Sequence, residues 1–164
     1  MLSDKNTVHL LLGSNLGNRQ KIIDEALTLL GQRVGEIQLT SSIYETAAWG
    51  KVDQPSFLNV AVAIQTELTP LQLLEAVLKI EVELGRVRHE KWGARMIDID
   101  IILYGDEVVN LRHTLQIPHP EMHNRRFVLL PMMEIAPDRV HPVLQQNISE
   151  LLANLTDDLS VLKR

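Results

Sequence analysis

Two carboxylates in the segment IDIDIILY are the most chemically suggestive residues of this chain. Asp98 and Asp100 stand two positions apart in an otherwise apolar run. In an extended strand both side chains would point to one face, with Cβ atoms about 6.5–7 Å apart. Carboxylate oxygens suit Mg²⁺, which often takes one or two of them together with phosphate oxygens. Taken alone, the pair is compatible with such a site, but a solvated polar strand face is the commoner explanation.

A cluster of basic residues directly before the carboxylates favours the metal site over a solvated polar strand face. Arg86, Arg88, Lys91 and Arg95 fall within ten residues, and only Glu90 opposes them there. A surface salt-bridge network is the alternative, but each exposed pair contributes little stability. Guanidinium groups match phosphate oxygens, and phosphoryl-type transfer depends mainly on positioning and charge stabilisation. The combination favours a polyphosphate site, with metal ions on one side and arginines on the other.

Two further groups of residues could contact a nucleotide or a heterocycle. His119 precedes Arg125 and Arg126 in PHPEMHNRRF, which makes it a candidate phosphate contact. Phe57 and Asn59 share the non-core face of an alternating segment. They could stack on and hydrogen-bond a flat heterocycle, although core packing explains Phe57 equally well.

Composition limits the possible classes of protein. The chain has 164 residues, 45% of them hydrophobic and 23% charged, with a net charge of −5 and no cysteine. Disulfides and thiolate metal sites are therefore excluded, and a general nucleic-acid binder is disfavoured. Neither a signal peptide nor an apolar stretch of membrane-spanning length is found. We expect a single domain over residues 1–164, a cytoplasmic location, no nucleic-acid or membrane partner, and a monomer.

The hydrophobic periodicity predicts how these residues are positioned. Residues 8–12 form a strand, and GSNLGN is interpreted mainly as a turn into a helix capped by Asn18 and closed by Gly31. Residues 37–46 and 57–66 alternate as two antiparallel strands. Thr69 begins a helix that Gly85 ends, and the aspartate strand follows. The order β-α-β-β-α-β predicts an α+β, ferredoxin-like core.

Strand parity and the C-terminal segment complete the predicted fold. Ile97, Ile99, Ile101 and Leu103 are expected on the core face of the last strand, which turns both aspartates outward. After the core we expect a short hairpin near Gly105 and helices over residues 124–135 and 148–155.

Several motifs together resemble one known family. KWGARMIDIDII (residues 91–102) resembles the signature of the 6-hydroxymethyl-7,8-dihydropterin pyrophosphokinase family. GSNLGN, DQPSFLNVAV, E-x-x-x-GR-x-R, IPHP-x-M-x-NR and LLP-x-x-EIAP resemble that family in the same order and spacing. The resemblance covers nearly the whole chain, and the ferredoxin-like fold of the family agrees with the element order.

The resemblance implies a reaction and a set of site residues. Pyrophosphate would pass from ATP to the hydroxymethyl oxygen of the pterin, giving AMP and a pterin diphosphate for folate biosynthesis. Arg86, Arg95, Asp98 and Asp100 would be catalytic, and the two aspartates would bind two Mg²⁺ ions. The implied ATP contacts are Glu81, Arg86, Trp92, Arg95, Ile101, His119 and Arg125. The implied pterin contacts are Thr46, Ala47, Ala48, Trp49, Phe57, Asn59, Asp98 and Phe127.

The chain departs from common forms of the family at several positions. Ala47 and Ala48 stand where two prolines are frequent. Near Thr114 the family's additional basic ATP contact cannot be placed, and Arg112 or His113 could substitute.

Two other classes of function would account for part of the pattern. An RNA-binding module would need exposed aromatics and a basic surface, whereas this chain has a net charge of −5. A metal-dependent nucleotidyl transferase or cyclase would account for Asp98 and Asp100 but would give Phe57 and Asn59 no role.

Overall fold

The structure is a computed structural model that describes residues 5–15, 17–46, 56–85, 96–157 and 160–164. The strands are β1 (Asn6–Ser14), β2 (Gly35–Thr40), β3 (Tyr44–Thr46), β4 (Phe57–Thr66), β5 (Asp98–Tyr104), β6 (Val109–Asn110), β7 (Gln116–Ile117) and β8 (Val161–Lys163). The helices are α1 (Arg19–Arg33), α2 (Pro70–Gly85), a 3-10 turn (Met122–Asn124), α3 (Arg126–Ile135) and α4 (Ile148–Ala153).

One antiparallel sheet organises these elements. Its strand order is β5-β1-β4-β3-β8, and β2 also pairs with β4. The long strand β4 therefore has two partners along one edge, β3 near its start and β2 near its end. The predicted α+β, ferredoxin-like arrangement is confirmed.

The two faces of the sheet bury different cores. On one face α1 and α2 cover an aliphatic cluster that includes Leu10, Val60 and Ile99. On the other face α3 and α4 cover a smaller cluster around Leu11 and Ala61. The predicted parity of β4 is confirmed, because Leu58, Val60, Val62 and Ile64 all belong to the first cluster. Asn59 and Asp98 alternate along their strands with residues of the first cluster, so the candidate site lies on the second face.

Local capping signals explain where the two long helices begin. The side chain of Asn18 accepts a hydrogen bond from the backbone N–H of Lys21. Thr69 and Gln72 form the reciprocal pair of a capping box. The prediction that Gly31 closes α1 is wrong: the helix continues to Arg33, because neighbouring turns tolerate one exposed glycine. None of the helices in the described ranges is long and apolar enough to cross a membrane.

The predicted strand over residues 37–46 is interrupted. It divides into β2 and β3, separated by residues 41–43. At the break the Ser41 hydroxyl accepts the backbone N–H of Ala61, and the Ser41 N–H donates to the Ala61 carbonyl. The Ser41 side chain thus takes the place of one backbone partner of Ala61. The alternation of residue types continues through residues 41–43, although the backbone hydrogen bonding between strands does not.

A register shift in β5 alters the predicted parity at its end. Leu10 pairs with Ile101, but the preceding residue of β1, His9, pairs with Leu103. The extra residue, Ile102, bulges the strand. Leu103 therefore joins the core under α3 rather than the core shared by Ile97, Ile99 and Ile101, which corrects the expectation for Leu103.

The C-terminal segment differs most from prediction. The expected hairpin at Gly105 does not form, because β6 pairs with β7 rather than with β5. The helices expected over residues 124–135 and 148–155 are confirmed as α3 and α4, although α3 begins at Arg126, after a 3-10 turn, and α4 ends at Ala153. Strand β8, which pairs with β3, was not predicted. Two- and three-residue strands carry no readable periodicity of their own.

Candidate functional site

A row of residues crosses the sheet at the ends of its central strands. Gly13 in β1 pairs with Asp98 on one side and with Asn59 on the other. Asn59 in turn pairs with Tyr44 of β3. A Cβ atom at Gly13 would lie only 3.1 Å from Asn59 Oδ1, so glycine keeps this part of the row free of a side chain. We call the part of this row between Asn59 and Asp98, where Gly13 contributes no side chain, the strip.

The amide half of the site, which we define as Thr46, Phe57 and Asn59, lies on β3 and β4. Asn59 Nδ2 donates a 3.1 Å hydrogen bond to Thr46 Oγ1. Both side chains are almost fully buried, with 3% and 4% of their surface exposed. Phe57 pairs with Thr46 across the two strands and is half-buried. This half is fixed by its own hydrogen bonds and packing.

The carboxylate half, defined as Asp98, Asp100 and His119, lies on and beside β5. Both aspartates are half-buried, and both point to the face opposite Ile99 and Ile101, as predicted. The backbone N–H of Ile99 donates a 2.7 Å hydrogen bond to the Glu81 carboxylate of α2. Glu81, predicted as an ATP contact, thus also anchors the strand between the two aspartates.

A cavity of about 420 Å³ adjoins the carboxylate half. Its lining residues are Leu74, Leu78, Glu81, Ile99, Asp100, Ile101, Arg112, His113, Thr114, Leu115, Gln116, His119 and Pro120. The predicted contacts Glu81, Ile101 and His119 are therefore brought together with Asp100. A carboxylate at one end and basic side chains at the other suit a metal-bound polyphosphate.

The β6–β7 hairpin places both alternative basic residues in the cavity wall. The Arg112 carbonyl accepts a hydrogen bond from Gln116 Nε2, and the Arg112 N–H donates to Asn110 Oδ1. Arg112 adopts a φ of 56°, a left-handed conformation that these two bonds support. Arg112 and His113 both line the cavity, so the structure does not require a choice between them.

His119 is held as a neutral imidazole aimed at the cavity. Its backbone N–H donates to the carbonyl of Ile102, and its Nδ1 accepts the N–H of Glu121 at 3.1 Å. Burial lowers the pKa of His119, and the Arg125 charge lowers it further, while Asp100 and Glu121 act in the opposite direction. Because Nδ1 accepts, the proton of the neutral ring resides on Nε2, which can donate to a phosphate oxygen.

Arg125 and Phe127 lie where α3 begins. The Arg125 guanidinium carbon is 5.7 Å from the centroid of the Phe127 ring, within cation–π range. Phe127 is half-buried against the cluster under α3, on the same sheet face as the amide half. Arg125 stands beside the cavity rather than in its wall, yet it is close enough to influence His119.

The donor set fits magnesium rather than a metal held by protein ligands alone. Within the described ranges, no three acidic, histidine or cysteine side chains converge as a metal cluster. Two half-buried carboxylates would leave several coordination positions for water and phosphate, as Mg²⁺ requires. Asp98 and Asp100 therefore suit a metal that arrives with its nucleotide.

Six predicted site residues lie outside the described part of the chain. They are Ala47, Ala48, Trp49, Arg86, Trp92 and Arg95.

Sequence reasoning missed Gly13 and Asn15 as site residues. Asn15 is buried, and its Oδ1 has no hydrogen-bond partner among the described residues. The position of GSNLGN at a strand end next to the site was the available signal.

The fold and the site together define a class. This is a ferredoxin-like α+β protein that carries a carboxylate pair and a buried amide group on one sheet face, with a cavity lined partly by basic side chains beside Asp100. The HPPK-DHPS protein of Plasmodium falciparum shares the fold, with a TM-score of 0.73 at 21% identity. That match covers 91% of this chain, but the chain spans only 44% of the Plasmodium protein's length.

Sequence comparison then gives the particular family. The model of 7,8-dihydro-6-hydroxymethylpterin-pyrophosphokinase matches residues 9–137. A Haemophilus influenzae protein named 2-amino-4-hydroxy-6-hydroxymethyldihydropteridine pyrophosphokinase is 43% identical, over 92% of this chain and 94% of its own length. The folic acid synthesis protein fol1 of Pneumocystis carinii is 41% identical over 94% of this chain, which spans 21% of that protein. The chain belongs to the 7,8-dihydro-6-hydroxymethylpterin-pyrophosphokinase family, which confirms the predicted enzyme class.

Proposed function

We propose that this protein transfers pyrophosphate from ATP to the hydroxymethyl oxygen of 6-hydroxymethyl-7,8-dihydropterin in a Mg²⁺-dependent step of folate biosynthesis. The observation that carries the proposal is the row Asn59–Gly13–Asp98. Asn59 and Asp98 are two strand spacings apart, about 9–10 Å between backbones. A bicyclic heterocycle recognised at Asn59 would extend its hydroxymethyl group towards Asp98 across the strip, where Gly13 has no side chain to obstruct it.

Pterin recognition is assigned to the amide half. Since Asn59 Nδ2 already donates to Thr46, its Oδ1 is the atom directed at the strip and available to a ring N–H. Phe57 and Phe127 would stack against the faces of the ring. Ala47, Ala48 and Trp49, which follow β3, are proposed to complete this subsite.

Nucleotide binding is assigned to the carboxylate half and its cavity. Asp98 and Asp100 would hold two Mg²⁺ ions, whose chemistry is to neutralise charge on the triphosphate. His119 would donate through Nε2, and Arg112, His113 and Arg125 would supply positive potential. Arg86 and Arg95 are proposed to hold phosphates from the other side.

The reaction needs positioning more than a covalent protein group. The hydroxymethyl oxygen forms a bond to the β-phosphorus, its proton passes to the solvent, and the bond from that phosphorus to the α–β bridging oxygen breaks. AMP is the leaving group, and the pterin diphosphate is the product. The residues hold the two substrates in line and offset charge that develops on the phosphates.

A product assay tests the proposal. Purified protein, ATP, Mg²⁺ and 6-hydroxymethyl-7,8-dihydropterin should yield AMP and a pterin diphosphate in equal amounts, and EDTA should stop the reaction. ADP as the nucleotide product would rule out pyrophosphate transfer. Free pyrophosphate or a cyclic nucleotide would favour the nucleotidyl transferase or cyclase alternative. A single domain over residues 1–164, a monomer and a cytoplasmic location remain predictions.

A further inference from the structure

Asp157 makes a long-range contact at the start of α3. Its carboxylate Oδ2 accepts the backbone N–H of Arg126 at 3.0 Å. Its carbonyl accepts two hydrogen bonds from the Arg126 guanidinium, at 3.1 and 3.3 Å. The two residues are 31 positions apart, so this contact exists only in the folded chain.

This contact supplies a helix cap that the local sequence lacks. Arg125 occupies the cap position of α3 and makes no capping hydrogen bond with its side chain among the described residues. The first N–H groups of a helix have no partner within the helix, and an acidic acceptor there stabilises the first turn. Asp157 provides that acceptor from outside the helix. The next residue of the helix is Phe127, assigned above to the pterin subsite.

The residues after Asp157 contact the other side of the same subsite. Strand β8 pairs with β3, and Val161 stands opposite Thr46. The Arg164 N–H donates to the carbonyl of Ile43 at 2.8 Å, and its guanidinium lies 3.8 Å from Glu45. Strand β3 therefore lies between β4 and this C-terminal strand.

The far end of α3 is attached to the same strand by a different residue. Glu134 accepts hydrogen bonds from the Tyr44 hydroxyl at 2.7 Å and from the Ser42 N–H at 3.0 Å. Helix α3 is thus tied to the β3 region at its C-terminal end by Glu134. At its N-terminal end, nearer Phe127, Asp157 connects it to the segment that continues into β8.

We infer that Asp157 is a positioning residue for the pterin subsite, holding the first turn of α3 so that Phe127 keeps a fixed place relative to Thr46. This inference rests on the proposed function of the amide half. Asp157 itself touches neither substrate. Its effect should therefore appear mainly in pterin affinity, since of the described nucleotide contacts only Arg125 adjoins the first turn of α3. The cavity beside Asp100 is built from β5, α2, the β6–β7 hairpin and the turn at His119 and Pro120.

Steady-state kinetics of three variants tests the inference. Asp157→Ala removes the acceptor, and it should raise the KM for the pterin roughly fivefold, as loss of a helix cap would. The KM for ATP should change less than about twofold. Asp157→Asn keeps an oxygen that can accept the Arg126 N–H, so it should restore most of the pterin affinity.

Glu150→Ala provides a matched control. Glu150 belongs to the capping box of α4, where its side chain accepts the Asn147 N–H. The variant therefore loses a comparable cap in the same C-terminal region, but away from the amide half. It should lower the melting temperature as much as Asp157→Ala while leaving both KM values unchanged.

Two outcomes would overturn the inference. One is an equal rise in both KM values for Asp157→Ala. The other is a lower melting temperature with an unchanged pterin KM, as for the control. If the wild type gives no AMP, the proposed function fails instead. Calorimetric titration of the pterin into protein saturated with a non-hydrolysable ATP analogue then still shows whether Asp157 affects its binding.

Discussion

The amide half and the carboxylate half of the site lie on one sheet face but differ in how their polar groups are stabilised. Asn59 and Thr46 are nearly fully buried and hydrogen-bonded to each other. Asp98 and Asp100 are half-buried neighbours of like charge on one strand. The first pair is complete without a ligand, since buried neutral groups are stabilised by pairing. The second favours a cation between its members, since like charges disfavour each other.

This difference suggests how the two substrates are recognised. A pre-formed pair of hydrogen-bonded side chains can select a heterocycle with little rearrangement. In the proposed reaction a metal–nucleotide complex completes the carboxylate pair, which would make catalysis conditional on that complex. Variants in the two halves should therefore affect the two substrates differently.

The largest effect is expected from the carboxylate half. Asp100→Ala should lower kcat roughly 10²–10³-fold, because charge stabilisation at the phosphates is lost. The wild type should also gain about 2.7 kcal/mol of stability at Mg²⁺-ATP concentrations a hundredfold above Kd, measured by thermal shift, and the variant should gain much less.

Asp106→Ala is the matched control for Asp100. Asp106 is an exposed carboxylate that lies just beyond the same strand. This variant should keep both the activity and the thermal shift. Full activity of Asp100→Ala would remove the carboxylate half from the mechanism.

A buried histidine in β1 contrasts with the amide half, in which Asn59 and Thr46 are hydrogen-bonded to each other. His9 in β1 is 3% exposed, and its Nδ1 has no hydrogen-bond partner among the described residues. Burial lowers the pKa of His9 from 6.5 to about 4, and the Arg139 charge contributes. As pH falls, the His9 imidazole therefore binds a proton in the unfolded chain before it does so in the folded protein. Stability due to neutral His9 is present above pH 6.5 and is lost between 6.5 and about 4.

Denaturant titrations at several pH values would measure this loss, which should reach about 3 kcal/mol at the acid end. His9→Phe should flatten that part of the pH dependence, whereas the exposed His113→Gln should leave it unchanged. An unchanged slope in His9→Phe would assign the acid sensitivity to other groups.

The smallest effect is expected from the amide half. Asn59→Ala should raise the KM for the pterin roughly tenfold, since a hydrogen bond to a buried amide is worth about 1.4 kcal/mol. The KM for ATP should stay within about twofold, because Asn59 lies two strands from Asp98.

Thr66→Val at the other end of β4 is a suitable control for Asn59. It removes a buried hydroxyl that bonds the Val34 carbonyl, far from the strip. Its loss should reduce stability and leave both KM values unchanged. Equal changes in both KM values for Asn59→Ala would make that residue structural.

Sequence periodicity and caps predicted much of the fold but not its irregular positions. The Asn18 and Thr69 caps are local, within three residues, and both were identified correctly. The division of residues 37–46 was missed because it depends on Ser41 meeting Ala61, twenty residues later. Leu103 was placed on the wrong face because a bulge cannot be recognised from alternation alone.

The candidate site was likewise predicted only in part from the sequence. Strand parity alone predicted that Asp98 and Asp100 share an outward face, and the structure bears this out. Nothing in the sequence indicated that Gly13 separates Asp98 from Asn59, because register between strands is set by the whole sheet. The β6–β7 hairpin likewise determines that Arg112 and His113 reach the cavity.

The sequence by itself determined which residues could do chemistry and which way each strand turns them, since side-chain direction follows a two-residue period along the backbone. Only the tertiary structure decided which of these residues meet. Asn59 faces Asp98 across Gly13, and Asp157 caps a helix 31 residues earlier, because sheet register and packing join positions that no local pattern connects.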